Sequence, residues 1–226
     1  MKLFRTILFA SLSAILPSMG AVIHVDFGRT ENTTTGNYNN VGGSGGSYGS
    51  SNADSGISLI DEDGNTTGIT LTLTDAGTWA NSGADYSGAY PTALVGVEST
   101  ALADGMNLAS PTLTPTVTLS GLDSGFTYEL IFYTARGNNG ETVTYTVSDA
   151  NGDTVTSISS VLNNSTEAPS VSGLTPDTNG EISFTTQASN RGGINYLQIV
   201  TTPVPEPSSI ALLGLSAAGL LRRRRA

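Results

Sequence analysis

A chain of 226 residues can build one large core or two small ones, and at this size folding buries roughly two thirds of the unfolded surface. It has no cysteine, one histidine (His24), 27 glycines and only 12% charged residues, which excludes disulfide scaffolds, zinc fingers, iron–sulfur sites and coiled coils. The formal net charge of −10 averages unlike segments: between residues 21 and 204, Arg29, Arg136 and Arg191 face eighteen carboxylates, a body that repels nucleic acid and anionic lipid.

Residues 1–20 read as a secretory signal helix, with a basic start (Lys2, Arg5), an apolar stretch from Thr6 to Leu16, a break at Pro17, and small Ser18 and Gly20 before Ala21. The apolar run is shorter than the ~20 residues of a stable span. Export through the Sec translocon, with signal peptidase cutting between Gly20 and Ala21, is therefore expected.

Residues 21–201 read as one β domain. Apolar residues recur with period two, and no window sustains a helical period. Ile23, Val25 and Phe27 open the first strand. Ile57 and Leu59, then Ile69, Leu71 and Leu73, flank the turn Asp61-Glu62-Asp63-Gly64-Asn65. Val117 and Leu119 precede a long strand through Phe126, Tyr128, Leu130 and Phe132. Val143, Tyr145 and Val147 run into Asp149-Ala150-Asn151-Gly152-Asp153, whose Asn-Gly pair is a hairpin signal. Ile182 and Phe184 precede a final strand, Ile194 to Val200, apolar on both faces and so expected at a sheet centre. Nine or ten short strands predict an all-β fold, a two-sheet antiparallel β-sandwich of jelly-roll type. Two stretches, about 29–56 and 75–115, read as long irregular connections, where function is expected.

The run Val22-Ile-His-Val-Asp-Phe-Gly28, the stretch Gly121-Leu-Asp-Ser-Gly-Phe-Thr-Tyr-Glu-Leu130 and the closing Ile194-Asn-Tyr-Leu-Gln-Ile-Val200 resemble the galactose-binding-like jelly rolls of carbohydrate-binding modules. That resemblance implies sugar binding and, in some such modules, a structural calcium. Fibronectin-like sandwiches stand as alternatives.

The chain continues with a proline-rich linker at 202–209 containing Val204-Pro205-Glu206-Pro207, an apolar segment at 210–221 read as a short membrane helix, and a basic tail at 222–226 with Arg222, Arg223, Arg224 and Arg225. Twelve apolar residues suit a transient anchor, and the arginines hold their end in the cytosol. This order resembles the PEP-CTERM sorting signal of Gram-negative envelope proteins. The resemblance implies cleavage by an exosortase near Pro205–Pro207, an inner-membrane intermediate, and display at the cell surface or in an exopolysaccharide matrix such as that of a biofilm.

Reagents for catalysis are few. His24 and Asp26 share a strand face, and Gly42-Gly-Ser-Gly-Gly46 matches a hydrolase elbow in form, but lies in a glycine–serine stretch without the strand and helix that the elbow needs. Asp61, Asp63 and Asn65 alternate as calcium ligands do, and also as the residues of an acidic turn; Asp149, Asn151 and Asp153 share that ambiguity. Trp79, Tyr86 and Tyr90, with Asn81 and Asp85, form a candidate platform on which a sugar ring stacks while amide and carboxylate bind its hydroxyls; the alternative is that Trp79 plugs the core. The leading expectation is a non-enzymatic exported sandwich that binds carbohydrate. A secreted enzyme with paired carboxylates and a purely structural matrix protein are the alternatives.

Overall fold

The computed structural model describes residues 20–30, 32–43, 51–74, 78–80, 89–103, 105–108, 112–137, 140–189 and 192–205. Their regular structure is almost all strand. In chain order these are β1 (Val22–Arg29), β2 (Tyr38–Gly43), β3 (Ile57–Ile60), β4 (Thr66–Thr74), β5 (Thr78–Ala80), β6 (Gly105–Leu108), β7 (Thr116–Ser120), β8 (Phe126–Tyr133), β9 (Val143–Asp149), β10 (Gly152–Ile158), β11 (Ser170–Leu174), β12 (Ile182–Ala188), β13 (Gly192–Ile194) and β14 (Tyr196–Pro203).

Two sheets face each other, a five-stranded one in the order β11-β8-β14-β1-β2 and a six-stranded one in the order β10-β9-β12-β7-β4-β3. Threonine alternates with apolar residues in the second sheet, so that Val143, Tyr145 and Val147 of β9 are buried while Thr144, Thr146 and Ser148 lie on the partly exposed face. Ile23, Val25 and Phe27 of β1, and Leu197 and Ile199 of β14, enter the same core from the first sheet. At its centre Phe132 stacks on Tyr145 (4.3 Å between ring centroids) and meets Phe184 edge-on at 5.0 Å, joining the sheets. The Tyr145 hydroxyl is matched by Thr134 Oγ1 at 2.6 Å and the Gly193 carbonyl at 3.2 Å. Burial pushes this phenol far above its ordinary range, so it stays neutral.

Strand β14 is at the middle of its sheet, as its two apolar faces require. It begins at Tyr196, whereas Ile194 belongs to β13; between them, Asn195 accepts from Phe27 N–H through its carbonyl (2.8 Å) and donates N–H to the Tyr133 carbonyl (3.0 Å).

The two stretches expected to be irregular carry regular structure. Within 29–56, β2 pairs with β1 in parallel, Asp26 opposite Asn40 and Gly28 opposite Gly42, after a connection of only residues 30–37. Within 75–115 lie β5, a single 3₁₀ turn (Thr92–Leu94), a short helix α1 (Ser99–Ala103) and β6. Strands β13, β6 and β5 form a small third sheet against one end of the sandwich, with Met106, Leu108 and Ile194 in the main core. Backbone crowding dictates glycine here: a Cβ on Gly193 would lie 1.6 Å from the Met106 carbonyl oxygen. The segment at 89–103 packs over the outer face of the five-stranded sheet, where Leu94, Ala101 and Leu102 bury Tyr133 and Tyr196.

Candidate functional site

The far ends of β1 and β2 build a small polar cleft of about 80 Å³, lined by Asp26, Arg29, Thr33, Asn40 and Asn52 around Gly28 and Gly42. An edge strand after so short a parallel connection leaves backbone groups in need of partners, and asparagines supply them. Asn40 clamps the connection: its Oδ1 accepts Thr34 N–H at 2.7 Å, and its Nδ2 donates to the Thr34 carbonyl at 3.0 Å. Buried Asp26 accepts the same N–H through Oδ2 at 3.2 Å. Asn52 acts as a one-residue strand beside β2, accepting Gly42 N–H and donating to the Asn40 carbonyl, both at 2.9 Å. Asn39, on the opposite face, ties the two sheets together. Its Oδ1 accepts Ile60 N–H and its Nδ2 donates to the Ile60 carbonyl, both at 2.8 Å, with a further bond to the His24 carbonyl at 3.0 Å.

The cleft walls therefore stand rigidly, with carboxylate, guanidinium, amide and hydroxyl groups converging on a glycine floor. This is the chemistry that pairs with sugar hydroxyls, each both donor and acceptor. Sequence reading had Asp26 and Arg29 in view but not the cleft, because its residues come from three separate segments. The run Tyr38-Asn39-Asn40 was the available signal: consecutive asparagines in a strand imply side chains standing in for peptide groups.

His24 lies on the outer face of β1, stacked on Tyr38 at 5.1 Å, with Nδ1 meeting the Tyr196 hydroxyl at 2.5 Å. Burial holds the imidazole below its ordinary pKa, and Glu62 opposes the shift. The Tyr38 hydroxyl accepts Glu98 N–H at 2.8 Å. His24 and Asp26 share a face, as expected, and each is engaged by a different group.

Of the aromatic candidates, Tyr90 packs edge-on against Tyr133 at 6.1 Å, over the outer face of the five-stranded sheet. Trp79 is placed by its backbone in β5 opposite Met106. Asn81, Asp85 and Tyr86 lie outside the described residues, as do Ser44, Gly45 and Gly46 of the glycine–serine stretch, whose first residues Gly42 and Gly43 belong to β2.

The acidic turn at Asp61 is organised by its first carboxylate. Asp61 Oδ1 accepts Asp63 N–H at 3.0 Å and Asn65 N–H at 2.8 Å, while the Asn65 amide reaches both oxygens. These bonds, Asn65 N–H foremost, hold the Asp61 carboxyl below its ordinary pKa. The same construction recurs at 149–153, where Asp149 accepts Asn151 N–H (2.8 Å) and Thr175 N–H (2.9 Å), and at 177–181, where Asp177 accepts Asn179 N–H (2.8 Å) and Glu181 N–H (2.9 Å). Partial burial raises the Asp149 pKa, but the Thr175 and Asn151 bonds outweigh it and the net shift is downward. Among the described residues no group of three or more His, Asp or Glu side chains is arranged to hold a metal ion.

Of the processing candidates, Gly20, Ala21, Val204 and Pro205 are described; Glu206, Pro207 and the arginines from Arg222 to Arg225 lie outside the described residues. Among the described residues no helix is long and apolar enough to cross a membrane.

Residues 203–225 match the model of the PEP-CTERM protein-sorting motif. The chain thus carries a sorting signal that implies export and recognition by exosortase. No curated protein matches the chain. A solved structure of TmCBM61 in complex with β-1,4-galactotriose aligns with 43% of this chain and 69% of that one, at 18% identity and a TM-score of 0.27.

Proposed function

We propose that this protein is a surface-displayed binding module, without turnover, whose cleft takes up the hydroxyl-rich edge of a neutral polysaccharide such as the exopolysaccharide of its own cell. The observation that carries this reading is the cleft itself. Its asparagines are fixed by backbone bonds, so the site is preformed and little entropy is lost on binding. Gly28 and Gly42 lie at the floor, where the two backbones approach so closely that a Cβ on Gly42 would sit 2.9 Å from the Gly28 carbonyl oxygen. A body with three arginines against eighteen carboxylates disfavours an anionic polymer, hence a neutral one.

Affinity electrophoresis of the processed protein in gels cast with neutral and acidic polysaccharides, a β-1,4-galactan among the neutral ones, tests the reading. Retardation by at least one neutral polymer is expected, with a tenfold or greater loss of affinity in an Arg29→Ala, Thr33→Ala variant that keeps its melting temperature. New reducing ends would instead favour an enzyme with paired carboxylates. Neither retardation nor turnover would leave a structural matrix protein.

A further inference from the structure

The two ends handled during export leave the sandwich side by side. Val22 of β1 lies opposite Val200 of β14, Ala21 N–H donates to Thr201 Oγ1 at 2.7 Å, and Thr201 N–H donates to the Ala21 carbonyl at 2.9 Å. Pro203 still pairs with Phe126, and Val204 N–H donates to the Gly125 carbonyl at 2.8 Å. The body is thus hydrogen-bonded into the sorting motif itself, up to the residue before Pro205. Only Pro205 to Ser209 separate Val204 from the apolar segment at Ile210, a tether of about 20 Å at ~3.3 Å per residue step.

Strand directions fix what else lies at this end. Glu62 N–H bonds the Val22 carbonyl, Ala150 N–H bonds the Thr175 carbonyl beside the start of β8, and Leu122 N–H bonds the Gly180 carbonyl. The turns at 61–65, 123–125, 149–153 and 177–181 therefore cluster around the exit of both termini. Together they hold eight carboxylates and no lysine or arginine. Arg29 ends β1 at the opposite pole, and Arg136 follows the end of β8 there.

We propose that, while its tail is inserted, the sandwich stands end-on to the membrane, with the acidic turns toward the lipid and the Asp26–Arg29 cleft facing away, roughly 23 Å further out at ~3.3 Å per residue of β1. The proposal rests on the sorting motif directing the tail into the membrane and is independent of whether the cleft binds sugar. The tether confines the pole to about two to three Debye lengths, taking one as ~8 Å, so repulsion from anionic headgroups is still felt. Tilting the body down would bring its flanks, also net acidic, against the same lipid.

Because the chain has no cysteine, single introduced cysteines report position cleanly. The full chain is reconstituted in vesicles containing anionic lipid and headgroup nitroxide, with a fluorophore on Thr178→Cys in the exposed 177–181 turn or on Leu162→Cys, which is 44% exposed and bridges to Arg136 at the other pole. Quenching several-fold stronger at 178 than at 162 is expected; equal or reversed quenching would overturn the stance. Combining Glu62→Gln, Asp63→Asn, Asp153→Asn and Glu181→Gln leaves the turn-organising Asp61, Asp149 and Asp177 in place, removes repulsion from the pole nearest the lipid, and should widen the difference by strengthening quenching at 178. An unchanged difference would overturn the electrostatic cause.

Discussion

At the end where the chain enters and leaves, strands are joined by turns of a few residues, each organised by one aspartate that accepts N–H groups of its own turn: Asp61, Asp123, Asp149 and Asp177. At the other end the connections are longer, and Asn40 and Asn52 stand in for missing strands with donor and acceptor on one side chain. Both ends satisfy backbone groups that strand termini leave open. A carboxylate only accepts, and it leaves a negative charge at the surface; an amide completes both halves of a peptide's bonding and leaves none. One pole is therefore acidic and compact, the other amide-rich and concave.

The largest expected effect is at the amide that clasps the two sheets. Asn39 is 7% exposed, and Asn39→Ala strands the Ile60 N–H and carbonyl, so about 3 kcal/mol of stability should be lost in urea titration. A loss below about 1 kcal/mol would mean that water replaces the amide and that the contrast between the poles is overstated.

Replacing a turn aspartate should cost less, because water reaches the freed groups. Asp149→Ala is expected to destabilise by about 1 kcal/mol at neutral pH. The Asp149 pKa is lowered in the fold, so its contribution is present above the unfolded value of 3.8 and disappears as pH falls through the folded value. Wild type and variant melting curves should accordingly converge on acidification.

His24 gives a smaller test of the same sign. Its folded pKa is below 6.5, so stability is full above that value and declines as pH drops through it towards the folded pKa. It is the single histidine, so a modest fall in melting temperature between about pH 7.5 and 5.5 should vanish in His24→Gln. Smallest of all is the response to ions. Calcium and magnesium at equal ionic strength are expected to shift the melting temperature alike, by screening. A calcium-specific gain of about 2.7 kcal/mol at a hundred times the dissociation constant would instead make 61–65 or 149–153 an ion site.

The sandwich core was legible because burial alternates with the residue pattern, as in Ile69, Leu71 and Leu73 or Val143, Tyr145 and Val147. The sorting tail was legible because its information is a linear order of residue types and needs no fold. Strand β2 was hidden, since Tyr38-Asn-Asn-Val-Gly-Gly43 offers Val41 as its only fully buried large apolar residue, and its extended form comes from β1, Asn52 and Ile60. The Asp-x-Asn-Gly pattern read at 149–152 also stands at 177–180, so that turn was open to the same reading.

The place of β14 governs when the molecule can exist. Its neighbours are β1 and β8, and among the described residues it is the last strand in chain order. Without Tyr196–Pro203 the five-stranded sheet lacks its middle and β1 has no antiparallel partner. Closure across some 175 residues carries the loop entropy and slow rate of distant contacts. A chain stalled before Tyr196 should be degraded by added protease as fast as an unfolded polypeptide, and one stalled after Pro203 should resist; equal sensitivity would show that the other sheet folds the body unaided. The same strand that completes the five-stranded sheet thus runs directly into the sorting motif.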